Sequence, residues 1–194
     1  MDRSICVYCA SSQRSDPLYR DAARRLGEIL ADEGYSIVYG GGAVGSMGAL
    51  ADGALSRGGT VIGILPKFMM ELEWGHARLT ELRIVEDMRA RKHMMLSHSC
   101  GLVTLPGGSG TLEELFEALT LKRLGLYRYP IVLLNTNDYF APLIALLEKA
   151  VEERFMDRRH LAMWHVVHEP EEVPEALRSA PSWPENARDF AALR

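Results

Sequence analysis

The stretch from Val103 to Leu119, VTLPGGSGTLEELFEAL, passes from β-branched residues through a glycine-rich turn into strong helix formers. A strand that stops in glycines and continues as a helix is the joint of a β-turn-α unit. The spacing predicts a strand over Leu102–Leu105 and a helix over Thr111–Leu124. The same joint occurs upstream, where a strand at Tyr35–Tyr39 runs into GGGAVGSMG and then into a helix over Ala49–Ser56.

Outward from these joints the alternation continues. Strands are expected at Ser4–Tyr8, in TVIGILP up to Pro66, at Leu82–Val85 and at Ile131–Leu134. Helices are expected over Pro17–Ala31, closed by Gly34, over Met88–His98 and over Ala141–Arg154. Lys67–His76 reads as less regular, and MWHVVH, which contains His165 and His168, reads as strand. Near-continuous apolar strands separated by amphipathic helices require a parallel sheet covered on both faces. The fold class is therefore α/β: a single Rossmann-like doubly wound parallel sheet in an α/β/α sandwich. Residues 1–194 read as one domain, with Pro181–Arg194 as a loosely held tail.

Composition narrows the function classes. At 194 residues, 47% hydrophobic and 25% charged, the chain is long enough to bury its own core. A formal net charge of −4 offers no footprint for a nucleic-acid backbone or an anionic membrane. MDRSICVYC has no apolar run of the signal-peptide type, and the three cysteines are an odd count that suits a reducing compartment; the expected location is the cytoplasm. Cys6 and Cys9 match C-x-x-C, but side chains three apart on a strand point to opposite faces, so core thiols are favoured over a redox or metal site. No metal is expected.

In an open parallel sheet, ligands bind beyond the carboxyl ends of the strands, and both glycine clusters fall at that edge. Gly107, Gly108 and Gly110 are expected to adopt backbone conformations closed to other residues and to leave no side chain in a ligand's way. Ser109 and Thr111 add hydroxyls, and a helix start presents free amides to an anion, so the turn reads as a phosphate cradle. Gly40, Gly41, Gly42 and Gly45 form a candidate second loop. Its spacing departs from G-x-G-x-x-G, and no acidic residue follows TVIGILP at the place of a ribose ligand. PGGSGT lacks the lysine of a P-loop. Glu113, Glu114 and Glu117 serve either the helix dipole or chemistry at a sugar, and Arg89, Arg91 and Lys92 in DMRARKHMM serve either solvent or a pocket. Arg91 and Lys92 point about 100° apart on a helix, so one can enter the pocket while the other does not.

Taken together, GGGAVGSMG, DMRARKHMM and PGGSGTLEE resemble the LOG (Lonely Guy) family of cytokinin-activating phosphoribohydrolases. The signature P-G-G-x-G-T-x-x-E is complete from Pro106 to Glu114, and the likeness runs from CVYCASS through LGLYRYPIVLLN to AVEERF. Ser46 stands where family members commonly carry Leu. The resemblance implies hydrolysis of the N-glycosidic bond of AMP or its N6-prenylated forms, giving the base and ribose 5-phosphate, without cofactor and in a homodimer. It places the catalytic pair on Arg91 and Glu114, and substrate contacts on Glu73, Met88, Lys92, Gly107, Gly108, Ser109, Gly110, Thr111, Leu112, Glu113 and Thr120. The run Phe68–Trp74 serves either as packing or, as the resemblance implies, in enclosing the base. The family's common label, lysine decarboxylase, finds no Schiff-base context at Lys67, Lys92, Lys122 or Lys149. A non-catalytic nucleotide-binding module is the alternative, since such folds bind phosphorylated ligands without cleaving them.

Overall fold

The apolar runs SICVY, SIVY, VIGILP, LVT and IVLL carry few polar side chains on either face, which suits strands sandwiched between two helical layers. In a computed structural model, which describes residues 3–71 and 75–192, they form β1 (Ser4–Tyr8), β2 (Ser36–Tyr39), β3 (Val61–Pro66), β5 (Leu102–Thr104) and β6 (Ile131–Leu134). The more polar β4 (Glu81–Val85) and β7 (His165–Val167) take the two edges. All seven pair in parallel, in the order β4-β3-β2-β1-β5-β6-β7. The chain thus builds outward from β1 to β4, then returns to the other side of β1 at β5. At that reversal neighbouring connections leave on opposite faces, and a crevice opens between the carboxyl ends of β1 and β5.

Among the described residues seven α-helices cover the sheet: α1 (Pro17–Asp32), α2 (Gly45–Ser56), α3 (Lys67–Glu71), α4 (Met88–Ser97), α5 (Ser109–Arg123), α6 (Ala141–Glu152) and α7 (Val173–Ser179). Period-2 alternation divides the core. Ile5, Val7 and Cys9 join Leu26, Leu30 and Leu50 on one face, while Cys6 and Tyr8 join Met95, Leu115 and Phe140 on the other. The two thiols therefore do lie on opposite faces of the sheet, each in its own apolar cluster. No helix among the described residues is long and apolar enough to cross a membrane.

Several boundaries differ from the sequence expectation. The second helix begins at Gly45 rather than Ala49, because tertiary packing stabilises a first turn that intrinsic propensity disfavours. Gly45 has φ of 63°, and a Cβ there would stand 2.5 Å from the Ser11 carbonyl carbon, so only glycine fits. At Ser46 the small side chain is buried, and its hydroxyl donates to the Tyr19 carbonyl at 3.5 Å, tying this loop to α1. Lys67–Glu71 forms a short helix where irregular chain was expected. The segment from Pro181, expected to be loosely held, docks Trp183, Ala187 and Phe190 into the second apolar cluster. These three buried residues outweigh the prolines and charges that suggest a loose tail.

Helices α1 and α2 cross almost backbone to backbone. A Cβ at Gly27 would lie 2.2 Å from the Leu50 carbonyl oxygen, and one at Gly53 would lie 2.1 Å from the Arg24 carbonyl oxygen. Alanine gains up to about 1 kcal/mol in helix propensity, but forcing rigid backbones apart costs about 1–3 kcal/mol. Gly27→Ala and Gly53→Ala should each lower the urea midpoint with an unchanged slope. A midpoint equal to or above that of the original protein would show that the two helices separate without cost.

Candidate active site

Helix α5 starts at the mouth of the crevice. Its N-cap is Gly108, which has no side chain to satisfy the first amides, and Gly108, Ser109 and Gly110 are exposed. The helix start therefore presents unpaired N–H groups and its positive dipole end to incoming anions. Of the two properties read from the sequence for these glycines, the unusual backbone is not used. None of Gly107, Gly108 or Gly110 has a positive φ. Gly107 is required because a Cβ would stand 2.2 Å from Thr111 Oγ1, whereas a Cβ on Gly108 or Gly110 would meet no heavy atom within 4 Å. Those two glycines keep space clear above the amides rather than permitting an unusual backbone.

Glu114 lies beyond the first turn of α5, outside the range where the helix dipole accounts for a carboxylate. It is 6% exposed and makes no ion pair or side-chain hydrogen bond among the described residues. Burial raises its carboxyl from 4.5 to about 7; the positive charge of Arg91 opposes this and the nearby Glu113 reinforces it. A carboxyl poised there exchanges protons at neutral pH, the behaviour expected of an acid–base group and unlike that of a solvated surface glutamate.

Arg91 is carried by α4 and is 5% exposed. Its Nη2 donates to the Gly40 carbonyl at 3.0 Å, and its Nη1 lies 3.7 Å from the sulfurs of Met69 and Met88. The side chain fits only because residue 40 is glycine, since a Cβ there would come within 2.0 Å of Nη2. Its Nε is buried without a partner, and no carboxylate among the described residues pairs with it. Arg91 and the second glycine loop line a cavity of about 370 Å³ together with Ser11, Gln13, Met47 and Leu65. Sequence order alone did not join Arg91 to Gly40, because the two come from different units and meet only when the sheet forms.

The remaining sequence-predicted residues divide. Lys92 bonds Glu113 and lies 2.7 Å from Glu117, locking α4 to α5; these pairings raise its ammonium above the usual range. Glu117, which the sequence left between the helix dipole and chemistry at a sugar, is thus part of that lock. Leu112 is half-buried against the apolar core. Thr120 is exposed on α5 and, at about 1.5 Å per residue, about 16 Å farther along the helix than Ser109, so this chain alone does not bring it to the cradle. Glu73 lies outside the described residues. Sequence reasoning missed Tyr139, from the loop after β6, whose hydroxyl donates to the Gly107 carbonyl at 2.5 Å. A second cavity, of about 620 Å³, lies between α4 and α5 and is lined by Tyr8, Lys92, Leu96, Glu117, Leu126 and Tyr127 among others; neither Arg91 nor Glu114 reaches it.

Residues 47–177 match a family model described as "Possible lysine decarboxylase". The chain is 44% identical over 154 residues to a cytokinin riboside 5′-monophosphate phosphoribohydrolase of Arabidopsis thaliana, covering 79% of this chain and 72% of the relative. It is 42% identical over 155 residues to a protein of the same description from Rhodococcoides fascians, covering 79% and 78%. Among solved structures, the molybdenum cofactor binding protein of Rippkaea orientalis superposes with a TM-score of 0.71 at 24% identity, over 92% of this chain and 97% of that one. At that identity the likeness establishes the shared fold.

Glu114 gives the site a signature in stability. The unfolded carboxyl titrates near 4.5 and the folded one near 7, so between these values the folded state holds the extra proton. Its contribution is fully present below about 4.5 and is lost as pH rises through 7. Glu114→Gln has no such proton to lose. Relative to the original protein it should gain stability between pH 5 and pH 8, by at most about 3 kcal/mol. Urea denaturation at the two pH values reads this directly, and parallel stability profiles would show that the carboxyl is not perturbed.

Proposed function

Because the chain belongs to the LOG family of cytokinin riboside 5′-monophosphate phosphoribohydrolases, we propose that this crevice hydrolyses the N-glycosidic bond of an adenosine-type 5′-monophosphate. The observation that carries the reading is the pairing, on one helix, of an open anion-binding start with a buried carboxyl poised near 7. The phosphate would rest on the amides of Gly108–Thr111, which places the ribose toward Glu114. As the bond between C1′ and the base nitrogen breaks, its electron pair leaves with the base and positive charge grows on the sugar. Carboxylate Glu114 stabilises that charge and takes a proton from the attacking water, whose oxygen joins C1′. The same proton then passes to the departing base, so water is the only co-reactant. Arg91, a buried cation facing the Gly40 loop, holds the phosphate or ribose or steadies the leaving base. The apolar lining of Leu65, Met69 and Met47 supports an adenine ring there, plain or prenylated.

We further propose a cytoplasmic homodimer that does not bind nucleic acid. The net charge of −4 supports the last point. The exposure of Phe116 (40%) and Leu126 (59%), the latter at the rim of the cavity between α4 and α5, supports a partner surface.

Purified protein incubated with AMP and with N6-isopentenyl-AMP should release free base, resolved by chromatography, while adenosine should be a far poorer substrate. Stoichiometric binding without base release would select the non-catalytic module, and equal turnover of adenosine would remove the cradle. Glu114→Gln should lower kcat on the order of 10²-fold with AMP affinity little changed. A fully active variant would refute the assigned chemistry.

A further inference from the structure

The loop that follows β6 makes an uncommon turn. Asn137 and Asp138 both have φ of 54°, a region that residues other than glycine seldom occupy. Asn135, 3% exposed, holds the turn: its side-chain oxygen accepts from the Phe140 amide at 2.6 Å and its side-chain nitrogen donates to Asp138 at 3.3 Å. The result is that Tyr139 reaches across the mouth of the sheet from β6 to the joint between β5 and α5. Its ring meets Tyr19 edge-on at 5.9 Å and Phe140 at 5.2 Å, and its hydroxyl donates to the Gly107 carbonyl.

The Gly107 carbonyl and the Gly108 amide belong to one planar peptide unit, in which C=O and N–H point in opposite directions. This unit is flanked by glycine on both sides, so side-chain sterics do little to fix its rotation. Rotated the wrong way, it would turn a carbonyl dipole toward an anion. We propose that Tyr139 is a positioning residue for the phosphate cradle: by holding the Gly107 carbonyl it keeps the Gly108 N–H directed into the anion site. The proposal rests on the reading of α5 as a phosphate site and adds the group that sets its geometry. The aromatic contact with Tyr19 extends this support, because the Tyr19 carbonyl accepts from Ser46 in the other glycine loop, so the two loops share one brace.

The test compares the original protein with Tyr139→Phe, which keeps the ring at a partly exposed position and removes only the donor. Calorimetric titration with AMP, ribose 5-phosphate and adenosine, together with steady-state kinetics on AMP, separates the outcomes. Loss of one ordinary hydrogen bond predicts about fivefold weaker binding of AMP and ribose 5-phosphate. KM for AMP should rise by a similar factor with kcat little changed, and adenosine affinity should stay the same. Equal affinity of both proteins for ribose 5-phosphate would overturn the role of Tyr139 and leave the cradle standing. If the original protein binds adenosine but not ribose 5-phosphate, the cradle itself fails, and the role of Tyr139 with it. A matched fall in adenosine affinity and kcat would mark general damage to the loop and also overturn the proposal.

Discussion

All seven strands run the same way, and the site depends on that constraint. Parallel pairing forces each connection to cross back over a face of the sheet, so every strand ends at the same edge. The chain lays β2, β3 and β4 on one side of β1 and β5 on the other, and the connecting layers part there. The glycine joint after β2, the joint after β5 and the turn after β6 are distant in sequence but meet at this edge. Had any one strand been reversed, its loop would have emerged on the far side of the molecule.

The five inner strands were legible because they are buried on both faces and carry almost uninterrupted apolar runs. Helix starts were less so. Propensity argued against beginning a helix in GSMG; its first turn is held by tertiary bonds from Ser46 to the Tyr19 carbonyl and from the Met47 amide to the Ala10 carbonyl, and the approach of Ser11 requires the glycine at 45. In the tail, Trp183, Ala187 and Phe190 stand at i, i+4 and i+7, the spacing of one helical face, but Pro181, Pro184 and the charged residues around them obscure it. Within the candidate site, the motif from Pro106 to Glu114 spans the uncapped start of α5 and the buried carboxyl of Glu114. The contact of Arg91 with Gly40, the lock of Lys92 on Glu113 and Glu117, and the reach of Tyr139 to Gly107 all cross between units. A one-dimensional pattern holds no signal for pairs of that kind.

The charged residues of α4 and α5 show how neighbours in sequence acquire opposite roles. Arg91 is buried toward the glycine loop, while Lys92 turns about 100° away and is neutralised by two carboxylates. The same charges act on Glu114. Lys92 pulls the Glu114 carboxyl down while Glu113 and Glu117 push it up, and burial is the largest cause. The lock therefore joins two helices and surrounds one buried carboxyl with charges of both signs.

The cradle turn divides within a few residues into positions the fold requires and positions it does not. Thr111 leaves no room for a side chain at Gly107, but Gly108 and Gly110 face open space. In a survey that scores variants by how much folded protein a cell accumulates, small side chains at Gly108 and Gly110 would pass as harmless. A survey scoring ligand occupancy would reject the same variants. Disagreement between the two surveys would trace the outline of the guest molecule from the host's side, residue by residue, without any bound complex in hand.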